Sequence, residues 1–182
     1  MAFPTKSSGK PSMLYNDAVE EALCFGWIDS IANGLDGTYH LRRFTPRKRG
    51  SQYSRPNIER LIWLDSKGMI HPKVRPQVEA VMHTDYMFPE DILEAIREDE
   101  ETWENYQSFS EPYKRIRVAY IDAARKRPEE FSKRLGYFLC KTKQNVMIPG
   151  HGGVDKYYRF RNHDPRQGIR DSQLPINFRN GL

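Results

Sequence analysis

The stretch that decides the fold class is residues 14–54, LYNDAVEEALCFGWIDSIANGLDGTYHLRRFTPRKRGSQYS. Apolar side chains recur at helical spacing from Leu14 onward, and this pattern ends near Gly26, a residue type that commonly terminates helices. Alternating apolar and polar residues follow on both sides of a glycine-rich turn at residues 33–37, which is typical of an antiparallel hairpin. We therefore predict a short buried helix followed by a β-hairpin.

The rest of the chain is mostly helical in its pattern. From Phe88 onward, apolar residues recur at a spacing that predicts three or four short amphipathic helices. The predicted fold class is therefore α+β and mostly α, with a small antiparallel β-hairpin platform packed with several helices and a C-terminal helical module. Trp27 and Phe44 are expected in its core.

Composition divides the chain into an arm, one domain and a tail. The predicted parts are an extended arm at 1–13, a single domain at 14–148 with a helix-hairpin-helix part at 14–84 and a helical module at 88–146, and a loosely held tail at 149–182, rich in Gly, Pro and Arg. Within the tail, residues 156–161 alternate cations with aromatic rings. These rings are expected either to pack on the domain or to stack with single-stranded nucleic acid.

The overall composition is that of a globular protein. The chain has 182 residues, of which 38% are hydrophobic and 12% aromatic, and this excludes a wholly disordered protein. No apolar stretch approaches the roughly 20 residues that a membrane-spanning helix needs. Residues 1–14 lack the apolar block of a secretory signal peptide, so we expect a cytoplasmic location.

Charge is segregated along the chain, although the net charge is only +5. Residues 41–60 hold seven cations and one acid, residues 85–104 nine acids and one cation, and residues 111–143 ten cations and four acids. We expect the two helical blocks, 85–104 and 111–143, to pair within the fold or to remain solvated. The first basic block lies mostly in a loop, where it can form a surface that attracts anions.

The common catalytic and metal-binding motifs that can be recognised from sequence alone are absent from this chain. It has no GxSxG elbow, no HExxH, no phosphate-binding lysine loop and no CxxC, and its five histidines show no ligand spacing. We therefore expect no structural metal and no cofactor. The two cysteines, Cys24 and Cys140, each lie in an apolar helical pattern and are predicted to be buried free thiols.

The residues best suited to bind a ligand are concentrated at the start of the first hairpin strand and in the loop that follows the second strand. Guanidinium groups and hydroxyls are concentrated there just before a helix N-terminus, whose free N–H groups attract anions. The candidate ligand-binding residues are Trp27, Asp29, Arg42, Arg43, Arg47, Arg49, Ser51, Tyr53 and Ser54.

Two arrangements of the candidate site remain open at this point. Asp29 could pair with Arg42 or Arg43 across the hairpin as a structural salt bridge, as charged hairpin partners often do. Alternatively, Asp29 and the arginines line a cleft that receives a polar ligand.

The same stretches carry a family resemblance. Residues 15–30 (YNDAVEEALCFGWIDS), 41–54 (LRRFTPRKRGSQYS) and 57–69 resemble the YdeI/OmpD-associated family, which is named for bacteriocin protection, and residues 88–146 resemble its C-terminal helical module. The resemblance covers roughly residues 6–146. It implies a fold and a link to envelope stress and antimicrobial-peptide resistance, with no reaction that attaches to a residue.

Three kinds of function are compatible with this sequence. The favoured hypothesis is a non-catalytic binding module for an anion, either a phosphate-bearing small molecule or nucleic acid. The second is a small-molecule enzyme in which Asp29 is the general base and Arg47 an electrostatic clamp, although a carboxylate beside several arginines is a poor base near neutrality. The third is a protein-interaction scaffold.

Overall fold

The fold is a small antiparallel sheet packed beside a mostly helical body, as the sequence predicts. The computed structural model describes residues 1–4, 13–35, 39–48, 50–150 and 153–159. Its elements are β1 (Ala2–Pro4), α1 (Tyr15–Cys24), β2 (Trp27–Leu35), β3 (Tyr39–Pro46), α2 (Arg55–Ser66), α3 (Arg75–Met82), α4 (Glu90–Arg97), α5 (Glu100–Ser108), α6 (Glu111–Asp122), α7 (Pro128–Lys143) and α8 (Asp155–Tyr158).

The predicted hairpin is present and gains a third strand. The strand order is β1-β3-β2, and both pairings are antiparallel. β1 lies within the arm predicted at 1–13, and Phe3 in it pairs opposite His40 and is buried. The sequence did not predict this strand because three residues are too few to show alternation. β2 also continues to Leu35, so the first residues of the predicted turn at 33–37 belong to the strand.

Local signals explain where the first helix ends and the hairpin begins. Gly26 has a φ of +71° just after α1, a backbone conformation that residues with a Cβ rarely adopt. Its carbonyl accepts a hydrogen bond of 2.9 Å from the backbone N–H of Arg47. The end of α1 is thereby tied to the end of β3.

The helices enclose two apolar clusters. The first lies among α1, α2 and α3, and its most buried members are Leu23, Leu61, Leu64 and Val78. The second lies among α4 to α8 and includes Ile92, Ile96, Tyr113, Ile121, Phe138 and Tyr157. Trp63 on α2 contacts both clusters. Among the described residues, no helix combines the length and the apolar character that a membrane crossing needs.

The prediction that Trp27 lies in the core is wrong. Trp27 is 41% exposed, whereas Phe44 is partly buried against the first cluster. Trp27 pairs opposite Pro46 at the far end of the sheet. A position at the end of the sheet leaves the ring partly exposed to solvent.

The predicted tail at 149–182 begins too early. Val154, Tyr157 and Tyr158 are buried in the second apolar cluster, so residues 153–159 are part of the body. The rings of the 156–161 segment that fall in the described part thus pack on the domain. One helical turn is too short to show a period in the sequence. The rest of the predicted tail, from residue 160, lies outside the described residues.

The prediction that both cysteines are buried is correct for one of them. Cys24 is 2% exposed in the first cluster, whereas Cys140 on α7 is exposed. The apolar pattern of α7 is broad, and only Phe138 and Thr142 of this helix are fully buried. Cys140 lies outside that buried stripe.

We expect only Cys140 to react with an aromatic disulfide reagent in the folded protein. The reacting form of a cysteine is its thiolate, and burial raises the pKa of Cys24 to about 11. Counting the thiols titrated before and after adding denaturant should give one and then two, because the sequence has two cysteines. Cys140→Ser should remove the reaction of the native protein, and a rapid reaction of Cys24 without denaturant would contradict the fold.

Candidate functional site

The loop that joins β3 to α2, residues 47–54, is here called the basic loop. Arg47 is folded back along it. The Arg47 Nη2 donates a 2.6 Å hydrogen bond to the backbone oxygen of Gln52, and the guanidinium carbon lies 3.7 Å from the centroid of the Tyr53 ring. The Nε and Nη1 of Arg47 are buried without a hydrogen-bond partner among the described residues. The loop therefore holds a cation in place with unused donors.

The other polar residues of the basic loop shape its turn. The hydroxyl of Ser51 donates to the backbone oxygen of Lys48 over 2.9 Å, and Gly50 between them has a φ of +78°. Lys48 is exposed. Ser54 has an extended backbone at the N-cap of α2, but its hydroxyl makes no capping hydrogen bond. The partial positive charge of the helix N-terminus therefore adds to the cations of the loop.

A second group of candidate residues forms around Tyr15 on α1. The hydroxyl of Tyr15 donates to Asp29, and the guanidinium carbon of Arg42 lies 4.7 Å from the centroid of the Tyr15 ring. Burial, followed by the hydrogen bond to Asp29, raises the pKa of Tyr15 to about 12. Tyr15 was not among the predicted site residues, all of which lie between residues 27 and 54.

The direct salt bridge considered for Asp29 is not formed. Among the described residues, neither Arg42 nor Arg43 brings a nitrogen within 4.0 Å of a carboxylate oxygen of Asp29. Arg42 and Arg43 are adjacent in β3, so their side chains leave opposite faces of the sheet. Arg42 lies on the face that carries α1, and Arg43 is exposed.

The predicted site is therefore divided in two. Arg47, Lys48, Ser51, Tyr53 and Ser54 lie in the basic loop, while Asp29 and Arg42 meet at Tyr15. Trp27 borders the loop, because it pairs with Pro46, the residue before Arg47. Arg49 lies outside the described residues.

The cations in and near the basic loop differ from those elsewhere on the surface in their ion pairing. In the helical body, most arginines are matched with acids, as in Arg75 with Asp65, Arg125 with Asp91 and Arg134 with Glu130. By contrast, within the part of the chain that the structure describes, no acid pairs with the four cations Arg42, Arg43, Arg47 and Lys48. Their positive charge is uncompensated by those residues and favours anions.

A buried polar network links α1 to α8, and sequence analysis missed it. The hydroxyl of Tyr157 and the amide of Asn16 both donate to Glu20, which also accepts two 2.9 Å hydrogen bonds from Lys156. Arg60 donates to the amide oxygen of Asn16 from Nε and Nη2. Asn16 and Tyr157 are 141 residues apart, so no local spacing relates them.

A second buried ionic group joins α2 to α6. Glu59 is 1% exposed and accepts hydrogen bonds from Arg55 on its own helix and from Arg115 on α6. Every donor in both networks has a partner of complementary charge or polarity. They are structural links, and the basic loop remains the better candidate for ligand binding.

The described residues offer no preformed metal site. No group of three or more His, Cys, Asp or Glu side chains among them is placed to hold a metal ion.

The comparisons with known families follow the division between the two apolar clusters. A family model described as "Bacteriocin-protection, YdeI or OmpD-Associated" matches residues 85–145, which contain α4 to α7. We call residues 85–145 the YdeI/OmpD-associated module, after the family model that they match. Residues 1–77, which contain the sheet and the basic loop, match a different model, a domain of unknown function (DUF8412).

The YdeI/OmpD-associated match is narrower than the resemblance inferred from the sequence. The N-terminal stretches 15–30, 41–54 and 57–69 fall in the region matched by the domain of unknown function. The YdeI/OmpD-associated match therefore accounts for α4 to α7 alone. No curated protein matches the chain, and no solved structure matches it.

Proposed function

We propose that this protein is a non-catalytic binding module and that its basic loop receives a phosphate-bearing anion. The observation that carries the proposal is the contrast in ion pairing. The described cations Arg42, Arg43, Arg47 and Lys48 have no acid partner among the described residues, whereas most arginines of the helical body, such as Arg75, Arg125 and Arg134, are matched with acids. A site that keeps its cations unpaired is ready to exchange water for anionic oxygens.

The guanidinium of Arg47 supports a ligand with several oxygen acceptors. A guanidinium presents its N–H groups as a rigid fork that matches the oxygens of phosphate. The Nε and Nη1 of Arg47 are buried and have no hydrogen-bond partner among the described residues. We expect the side chain to turn towards solvent when an anion binds, which brings these donors to the anionic oxygens.

The aromatic neighbour of the loop supports a ligand that also carries a flat ring. Trp27 is 41% exposed and pairs with the residue that precedes Arg47. Nucleobases stack on exposed aromatic rings of this kind. The proposed ligands are therefore nucleotides or single-stranded nucleic acid in preference to inorganic phosphate.

The contacts of Asp29 favour binding over catalysis. Its carboxylate accepts the hydroxyl hydrogen of Tyr15, and no described contact joins Asp29 to Arg47. The pairing of general base and electrostatic clamp that an enzyme hypothesis requires is thus not assembled. The link to bacteriocin protection comes from the description of the family matched by α4 to α7, and we include a role in resistance to antimicrobial peptides as part of the proposal.

We expect Arg47→Gln/Lys48→Gln to weaken binding of a nucleotide or a short single-stranded oligonucleotide by about tenfold or more at low salt. Each lost hydrogen bond to a charged group costs roughly 1.5–3 kcal/mol. The variant should still fold, because Lys48 is exposed and Arg47 loses only its stacking on Tyr53 and one hydrogen bond, to the backbone oxygen of Gln52, at a cost of about 1 to 2 kcal/mol. Titration by calorimetry at low and moderate salt measures both the affinity and its salt dependence.

The matched control for this titration is Lys126→Gln/Arg127→Gln. It removes the same charge from two exposed residues between α6 and α7 and should bind like the wild type. Equal, weak and salt-insensitive responses of the wild type and the loop variant would exclude the basic loop as an anion site.

A further inference from the structure

A separate pocket lies between α6 and α7, on the helical body. Its volume is about 290 Å³, and Ile148, which follows α7, closes one side. The floor is apolar, with Ile121 2% exposed and Phe138 1% exposed. Two tyrosines, Tyr120 and Tyr137, line the pocket and are about half exposed. The pocket thus combines a buried apolar floor with aromatic sides.

A buried arginine lines this pocket without an acid partner. Arg117 is 6% exposed, and no carboxylate of the described residues lies within 4.0 Å of its guanidinium. Its Nη2 donates to the backbone oxygens of Ile148 and Pro149, while its Nε is buried without a hydrogen-bond partner. Carbonyl oxygens satisfy donors but do not neutralise the charge. A buried charge is costly until it is paired.

The other charged residues of the pocket leave it positive. Arg134 pairs with Glu130 over 2.7 Å and stacks on Tyr120, with its guanidinium carbon 3.8 Å from the ring centroid. Lys133 is exposed at the pocket and forms no ion pair with a described residue. Three cations therefore face one acid, Glu130, which is already engaged by Arg134.

We propose that this pocket binds a small aromatic carboxylate, with the carboxylate on Arg117 and the ring between the tyrosines. An engineered apolar cavity of about 150 Å³ accommodates benzene, so the pocket here is large enough for a fused two-ring acid. The ring would cover Phe138 and Ile121, and the carboxylate would supply the counter-charge that Arg117 lacks. This pocket is separate from the basic loop, so the proposal for either site can be disproved without affecting the other.

The probe for this proposal is 2-naphthoate, with its neutral analogue 2-naphthamide for comparison. We expect saturable binding of 2-naphthoate by the wild type in calorimetry, and at least tenfold weaker binding of the amide, because a charge-assisted hydrogen bond is lost. Absence of 2-naphthoate binding at millimolar concentration, or equal affinity for the amide, would overturn the proposal.

Two variants locate the bound acid. Arg117→Gln should weaken 2-naphthoate at least tenfold, and circular dichroism shows whether this buried variant still folds. Lys133→Glu reverses an exposed charge at the pocket without disturbing the core and should weaken the acid several-fold, whereas the matched reversal Lys126→Glu should not. The loop variant Arg47→Gln/Lys48→Gln should bind 2-naphthoate normally. Loss of binding in Lys126→Glu equal to that in Lys133→Glu would place the acid elsewhere and overturn the assignment.

Discussion

Replacing Glu59 with alanine is expected to lower the free energy of unfolding by about 3 to 5 kcal/mol, the usual effect of breaking a buried ion pair by removing one partner. Glu59 is 1% exposed, and the side chains of its partners Arg55 and Arg115 are only 8% and 15% exposed. Alanine would leave two largely buried guanidinium groups without their shared anion, and among the described residues only the exposed carboxylate of Glu111, 3.9 Å from Arg115, would remain near them. Urea unfolding followed by circular dichroism measures the change.

The control for this variant is Glu90→Ala. Glu90 pairs with Arg97 on the surface of α4, where the two side chains are 65% and 44% exposed. Exposed pairs contribute only about 0 to 1 kcal/mol, so this variant should unfold close to the wild-type midpoint. Similar midpoints for the Glu59 and Glu90 variants would show that the buried ionic group does not stabilise the fold.

The Glu59 group also connects the two parts of the protein that match different families. Glu59 belongs to α2 in the region matched by the domain of unknown function, and Arg115 belongs to α6 in the YdeI/OmpD-associated module. The Asn16–Glu20–Tyr157 network makes another buried link, from α1 in the first region to α8, which follows both matched regions. Both links are buried and charged, so each part leaves polar groups unpaired without the other.

Tyr157→Ala is expected to destabilise the protein by about 3 to 5 kcal/mol, as large-to-small changes of buried aromatic residues do. Tyr157 is fully buried, and its ring lies edge-on to Trp63 with centroids 6.0 Å apart. The variant also removes a hydrogen-bond donor from buried Glu20. Thermal and urea unfolding measure the loss.

Two further variants separate the contributions of Tyr157. Tyr157→Phe keeps the ring and removes only the hydroxyl, so it should cost about 1 to 3 kcal/mol through the donor lost to Glu20. Arg159→Ala changes an exposed residue of the same segment and should stay within about 0.5 kcal/mol of the wild type. A wild-type stability for Tyr157→Ala would return residues 153–159 to the loosely held tail that composition predicts.

The parts of the fold that sequence predicted are those in which the signal is local. The helix ending at Gly26, the hairpin after it and the helices from Phe88 onward each repeat a period over enough residues to be seen. β1 and α8 are too short for that, and their contacts are distant in sequence: Met1 bonds to Arg42, and Asn16 to Tyr157. No residue spacing in a single sequence indicates which distant segments contact each other.

The sequence shows which residue types gather near the candidate site, but it does not show how their side chains are arranged. The clustering of cations before α2 is visible in the sequence, and in the structure Arg47 and Lys48 of this loop have no acid partner among the described residues. However, Arg42 and Arg43 were assigned to one site although adjacent strand residues face opposite ways. Trp27 was assigned to the core because aromatic residues are usually buried. It lies at the end of the sheet instead, where its side chain is 41% exposed.

A nuclear magnetic resonance titration of isotope-labelled protein with a nucleotide at low salt shows directly whether the basic loop binds a phosphate-bearing anion. We expect the largest shifts at the backbone amides of residues 47–55 and at the side-chain Nε–H of Arg47, with smaller shifts at Trp27. These signals should move together and saturate at one affinity. Shifts spread evenly over the exposed cations of α6 and α7, or no shifts in the basic loop, would contradict the proposal.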